Sequence, residues 1–169
     1  MCTNDGVKFI KPLRIQCKKM KPLIVLLVSF VIALITTKLI TDQFDIALSG
    51  RIAMASMLVF TAIAHFALTK GMIMMMPDFI PFKKAMVYFT GFVEIAAAVG
   101  LLIPDLQVFT GWLLTLFFML LLPANINAAI RHIDFEKGTF EGPGTNYLWF
   151  RVPLQILFIL WTYFAAIRF

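Results

Sequence analysis

The chain alternates long apolar runs with short polar links. Each run contains about twenty residues and few charges, which is the length that an α-helix needs to cross the hydrocarbon core of a bilayer. The links contain Asp, Lys, Gly and Pro, which are typical of turns and membrane surfaces. The pattern therefore predicts five membrane-spanning helices, at residues 22–41, 50–69, 85–103, 107–130 and 147–167.

Composition supports this prediction. Hydrophobic residues make up 61% of the 169 residues and charged residues only 14%, whereas a soluble domain carries about 25% charged residues. A soluble core of this size could not bury so much apolar surface, so lipid must cover part of it. We therefore expect an all-α, polytopic membrane bundle with no separate soluble domain.

A basic segment precedes the first run, as it does in both signal peptides and membrane-spanning helices. The run is long for the apolar part of a signal peptide, and no clear cleavage site follows before Asp42. We therefore expect residues 22–41 to be a retained N-terminal transmembrane helix, and residues 1–21 to be a basic cytoplasmic tail. This tail contains Cys2 and Cys17, which form neither a CxxC pair nor a metal-binding spacing.

Basic residues are distributed unevenly between the two sides of the predicted bundle. With five spans, twelve of the fifteen Lys and Arg residues fall on the side of the N-terminus. Positive charge accumulates on the cytoplasmic side of membrane proteins. The bias predicts a plasma-membrane (bacterial inner-membrane) protein with its N-terminus in the cytoplasm and its C-terminus outside. The basic tail contains no nucleic-acid-binding motif, so no nucleic-acid partner is expected.

One carboxylate, Glu94, lies near the middle of the third run. An ionisable group in such a segment is costly in hydrocarbon and usually faces a protein interior or a wet cavity. Antiparallel packing brings polar residues of the neighbouring runs into the same, inner half of the membrane. The predicted ligand-binding residues are His65, Glu94, Asn125, Asn127, Arg151 and Gln155.

The residue types in this set suggest two kinds of chemistry. Glu94 and His65 together could transfer a proton, so they are the candidate catalytic residues. Arg151 could bind a quinone carbonyl or an anion. The sequence contains no metal, haem or nucleotide motif, so no metal site is predicted and no cofactor is evident beyond a quinone or a lipid.

Structural roles are an alternative for the same residues. Pro123 removes a backbone donor and is expected to interrupt the fourth helix, where Asn125 and Asn127 would satisfy the freed backbone groups. Arg151 could extend to the lipid headgroups, and Gln155 could link two helices.

Methionines are concentrated in the link between the second and third runs. We expect residues 71–84 to form a loop that acts as an apolar plug at the membrane surface, because methionine side chains are flexible. A copper site is the alternative, since thioethers bind Cu(I).

Several short motifs resemble those of the DoxX-like integral membrane proteins. Their order and spacing carry the resemblance, which covers roughly residues 48–167. The motifs are Gly50-Arg51, His65-Phe66, Met76-Pro77 with Pro81, Thr90-Gly91 with Glu94, Leu122-Pro-Ala-Asn125, Gly142-Pro143 and Arg151-Val-Pro-Leu-Gln155.

The resemblance implies a four-helix membrane domain at residues 48–169, to which residues 22–41 add one helix. Similar proteins are associated with a thiosulfate:quinone oxidoreductase, with membrane oxidoreductase complexes that handle thiol stress, and with maturation of periplasmic redox enzymes. Related animal proteins act as assembly chaperones for receptors. No cysteine lies in the predicted membrane helices here, which argues against direct thiol chemistry.

We therefore expect a non-catalytic membrane subunit or assembly factor linked to an oxidoreductase or to a quinone or lipid process. The expected partners are the lipid bilayer, a membrane or periplasmic redox protein, and further copies of the chain. The alternative is a small membrane enzyme of the proton-transfer or isomerase type, acting on a hydrophobic substrate through Glu94 and His65. A transporter is the least favoured alternative, because no inverted repeat is evident.

Overall fold

The computed structural model describes residues 20–142 and 144–168, apart from the side chains of Asn146 and Tyr147. The predicted basic tail lies almost wholly outside the described residues, as do Cys2 and Cys17. Helices are the only regular secondary structure in the described part of the chain, apart from an isolated bridge between Asp134 and Thr139.

Six α-helices follow one another along the chain: α1 (Lys21–Thr41), α2 (Ile46–Ala67), α3 (Thr69–Met75), α4 (Lys83–Gly100), α5 (Gln107–Ile130) and α6 (Leu148–Thr162). A 3-10 turn, Gly144–Tyr147, leads into α6, and a π-helical segment, Tyr163–Arg168, continues it. The all-α prediction is confirmed, and five of these helices occupy the five apolar runs.

Four helices are long and apolar enough to cross a membrane, namely α1, α2, α5, and α6 together with its π-helical extension. Helix α4, which has 18 residues, is not among these four. It contains Lys83, Lys84 and Glu94, which lower its apolar character.

The Met-rich link differs from its prediction. It is not wholly a loop, because Thr69–Met75 forms the short helix α3. Lys and Met favour helix, and the first proline of the link, Pro77, comes only after α3 has ended.

The predicted interruption at Pro123 was wrong, since α5 runs through it to Ile130. A neighbouring helix supplies a donor close to the disturbed turn: Gln155 Nε2 of α6 donates to the Phe118 carbonyl of α5. Prolines are tolerated in membrane helices when neighbouring groups bond to the backbone around them.

Helix α2 is the centre of the bundle, and it packs against α1, α4 and α6. Its N-terminus is capped by Asp45, whose carboxylate accepts the Leu48 N–H at 2.8 Å. Close to that end, the Trp161 indole donates to the Gly50 carbonyl at 3.0 Å and fixes α6 against α2. The largest fully buried apolar side chains around this core are Leu26, Met54, Met57, Leu58, Leu101, Leu114 and Val87.

The other end of α2 is covered by α3 and by the link at residues 131–142. A Cβ atom at Gly71 of α3 would overlap the Phe135 carbonyl, so the two segments are in direct backbone contact. Asn127 Nδ2 of α5 donates to the Met75 carbonyl at 2.9 Å. We call α3 and residues 131–142 the end cover.

Candidate functional site

A cavity of about 230 Å³ lies among α2, α4, α5 and α6, beneath the end cover. Apolar side chains, chiefly methionine, leucine and phenylalanine, form most of its wall, and polar side chains enter from each of the four helices. The structure brings five of the six predicted ligand-binding residues to this cavity: His65, Glu94, Asn125, Arg151 and Gln155.

Glu94 and His65 form the polar centre of the wall between α4 and α2. Glu94 is only 4% exposed, and its Oε1 lies 3.5 Å from His65 Nε2. Gly91, one turn earlier in α4, allows this approach, since a Cβ atom there would lie 3.1 Å from the His65 Cβ. The pair is close enough to pass a proton between an acid and a base.

Thr90 was not among the predicted ligand-binding residues, yet it orients the histidine. Its Oγ1 lies 3.1 Å from His65 Nδ1 and donates to the Val87 carbonyl at 2.8 Å. Thr90 precedes Glu94 by four residues, so both side chains lie on the same face of α4. That spacing was visible in the sequence and could have identified Thr90.

A second polar group lies on the α5–α6 wall. Asn125 Nδ2 donates to Gln155 Oε1 at 3.2 Å, and Gln155 Nε2 in turn donates to the Phe118 carbonyl. Gln155 is buried, at 8% exposure. Asn125 therefore bonds to a side chain of another helix, and Gln155 links two helices while also lining the cavity.

Of the remaining two predicted residues, Asn127 and Arg151, only Arg151 lines the cavity. Asn127 does not line the cavity, because its amide holds the end cover through the Met75 carbonyl. Arg151 does line it, and its guanidinium lies 5.8 Å from the centre of the Phe135 ring, a cation–π distance.

The end cover contributes further lining residues that the sequence analysis did not single out as a site. Lys21 Nζ, at the start of α1, lies 2.8 Å from Glu136 Oε1, and both residues line the cavity. The two are separated by 115 positions in the chain, so only the fold reveals the pair. Met72, Met75 and Met76 also line the cavity, which places the Met-rich segment beside it.

A separate ion cluster fastens the link before α4 to the end of α5. Asp78 lies 2.8 Å from Lys83 Nζ and accepts hydrogen bonds from Arg131. Hydrogen bonds from Arg131 and Lys83 hold the pKa of Asp78 at about 2, below its usual 3.8. Asp78 is therefore ionised throughout the physiological pH range.

The model of one protein family, described as a domain of unknown function (DUF8561), matches residues 54–166. The chain belongs to this family. The DUF8561 region begins inside α2 and includes every residue of the cavity wall except Lys21 and Pro22. Searches of curated proteins and of solved structures found no match.

Proposed function

We propose that this DUF8561 protein is a non-catalytic membrane subunit or assembly factor whose cavity holds a long-chain amphiphile, either a lipid or a quinone. The observation that carries the proposal is the composition of the cavity wall. Apolar side chains surround a few converging polar groups, as in sites that bind small hydrophobic molecules.

The size of the cavity supports an amphiphile over a fully enclosed ligand. Its volume of about 230 Å³ is below the roughly 300–1,000 Å³ of a typical small-molecule pocket. A polar headgroup fits this space beside His65, Glu94 and Gln155. The chain of the ligand then extends along the apolar walls towards the lipid.

We further propose a DoxX-like core formed by α2, α4, α5 and α6, with α1 as an addition. The family match supports this division, since it begins at residue 54 and leaves α1 outside. A membrane or periplasmic oxidoreductase is the proposed partner, by resemblance to the DoxX-like proteins. The proposed location is the plasma membrane, with the N-terminus inside.

Native mass spectrometry of the protein, extracted in a mild detergent, tests the proposed cavity. We expect the wild type to retain a lipid or quinone of defined mass. Ala64→Trp should lose it, because Ala64 lines the cavity and the indole would occupy the headgroup space. Ala67→Trp is the matched control, since Ala67 is an exposed residue of the same helix outside the cavity wall. Identical retention in both variants, or a wild type without bound amphiphile, would refute the proposal.

Reporter fusions to each of the two termini test the proposed topology and decide whether α4 crosses the membrane. Five spans place the two termini on opposite sides, so we expect a C-terminal reporter to be active outside and an N-terminal reporter to be active in the cytoplasm. If α4 does not cross, four spans remain and both reporters will be active on the same side. Immunoblotting of the fusions controls for cleavage within residues 1–41.

The contact between His65 and Glu94 favours a second candidate, a membrane enzyme that moves a proton on a hydrophobic substrate. The 3.5 Å separation of Nε2 and Oε1 suits an acid–base pair. Incubating the protein and its retained ligand in D₂O separates this candidate from simple binding. An enzyme would introduce deuterium at a carbon of the ligand, and Glu94→Gln would prevent it. A ligand that gains no carbon-bound deuterium identifies a binding subunit.

A further inference from the structure

Glu94 lines the cavity, and one oxygen of its carboxyl group is unsatisfied. Oε1 faces His65, but Oε2 is buried and has no hydrogen-bond partner among the described residues. Leaving a buried polar atom unpaired costs free energy, so such an atom in a cavity wall indicates a ligand group. Whether that group is a donor or an acceptor depends on where the neighbouring protons lie.

The hydroxyl of Thr90 determines whether Thr90 Oγ1 or His65 Nδ1 donates the proton in the hydrogen bond between them. Oγ1 lies 2.8 Å from the Val87 carbonyl and 3.1 Å from His65 Nδ1, and it has only one proton to give. Helical threonines characteristically bond to the carbonyl three or four residues earlier. The hydroxyl proton therefore belongs to the Val87 carbonyl, and His65 Nδ1–H donates to Thr90 Oγ1.

The orientation of His65 in turn determines which oxygen of the Glu94 carboxyl group can accept a hydrogen bond from a ligand. With Nδ1 protonated, a neutral His65 has a bare Nε2, which can face Glu94 Oε1 only if Oε1 carries a proton. The other possibility is a protonated His65 facing a carboxylate. Both forms assign the shared proton to the contact between Nε2 and Oε1, which lie 3.5 Å apart, and leave Oε2 as an acceptor.

We infer that the cavity selects an amphiphile whose headgroup presents a neutral O–H to Glu94 Oε2. The chemical class is a long-chain alcohol or phenol, in which a hydroquinone is included and its oxidised quinone is not. A cationic donor is disfavoured, because Arg151 lines the same cavity while the charge of Lys21 there is already paired with Glu136. This inference rests on the proposed function, in which the cavity holds an amphiphile.

Two probes of equal chain length test the inference: tritiated 1-hexadecanol, which donates and accepts, and tritiated hexadecyl methyl ether, which only accepts. Binding is measured by scintillation proximity in nanodiscs of dioleoylphosphatidylcholine, a lipid without a hydroxyl group that could compete. We expect the wild type to bind the alcohol about tenfold more tightly than the ether, because the ether leaves Oε2 unpaired.

Glu94→Met should bind both probes equally, since it removes the acceptor and keeps an apolar chain of similar length. Glu141→Met is the control; Glu141 is an exposed glutamate outside the cavity wall, and its replacement should keep the tenfold preference.

Tighter or equal binding of the ether by the wild type overturns the inference alone and identifies Oε2 as a proton donor. Failure of both probes to bind overturns the proposed function as well. If Glu94→Met does not fold, the comparison of alcohol and ether binding by the wild type still tests the inference.

Discussion

Glu94→Leu is expected to lower thermal stability and to abolish ligand retention, whereas Glu94→Gln keeps the fold and weakens function. Leucine removes every polar contact of a residue that is 4% exposed. It leaves His65 Nε2, which lies 3.5 Å from Oε1 in the wild type, facing an apolar group. A buried polar atom left without its partner costs about 1–3 kcal/mol.

Glutamine has the shape of glutamate and can still bond to His65. Its amide oxygen accepts less strongly than a carboxylate, and it cannot transfer a proton, so ligand retention should fall and any deuterium uptake should stop. Thermal unfolding in detergent, native mass spectrometry and the D₂O experiment measure the three effects. Glu141→Leu and Glu141→Gln control for loss of charge at an exposed site. A glutamine variant unchanged in all three measurements would show that Glu94 is only structural.

The periodicity of the apolar runs was enough to predict most helices. Helices α1 and α5 lie where the sequence placed them, because few charged side chains fall within those runs. The Met-rich link was less predictable, since seven residues between two long helices can be helical or irregular. The position of α3 in the fold is defined by a contact between residues that are distant in sequence, namely the packing of Gly71 against the Phe135 carbonyl.

The candidate site was predictable to the extent that residues share a helix face. Arg151 and Gln155 are one turn apart, and both line the cavity. Asn125 and Asn127 are two residues apart, which is about 200° around a helix, so they cannot face the same space. The helical period alone separates the two asparagines. The Lys21–Glu136 pair depends on how α1 meets the end cover, which no local pattern reveals.

Gly71→Ala is expected to destabilise the end cover strongly, whereas Gly91→Ala should be nearly neutral. A Cβ atom at Gly71 would overlap the carbonyl oxygen, carbonyl carbon and Cα of Phe135, all of them backbone atoms. Backbone cannot rotate away as a side chain can, so residues 131–142 must shift. Overpacking typically costs about 1–3 kcal/mol. The shift also displaces Glu136 from Lys21 and Phe135 from Arg151, on the wall of the cavity.

Gly91→Ala is the matched substitution within α4. Its Cβ would meet the Phe66 ring at 3.2 Å, which can rotate away, and the His65 Cβ at 3.1 Å, which needs a shift of only a few tenths of an ångström between α2 and α4. Alanine also favours helix over glycine by about 1 kcal/mol, which offsets this crowding. Thermal unfolding of the two variants in the same detergent gives the comparison, and native mass spectrometry reports the cavity. Equal stability of Gly71→Ala and the wild type would mean that α3 and residues 131–142 do not pack together, and the cavity would then have no closed end for a headgroup.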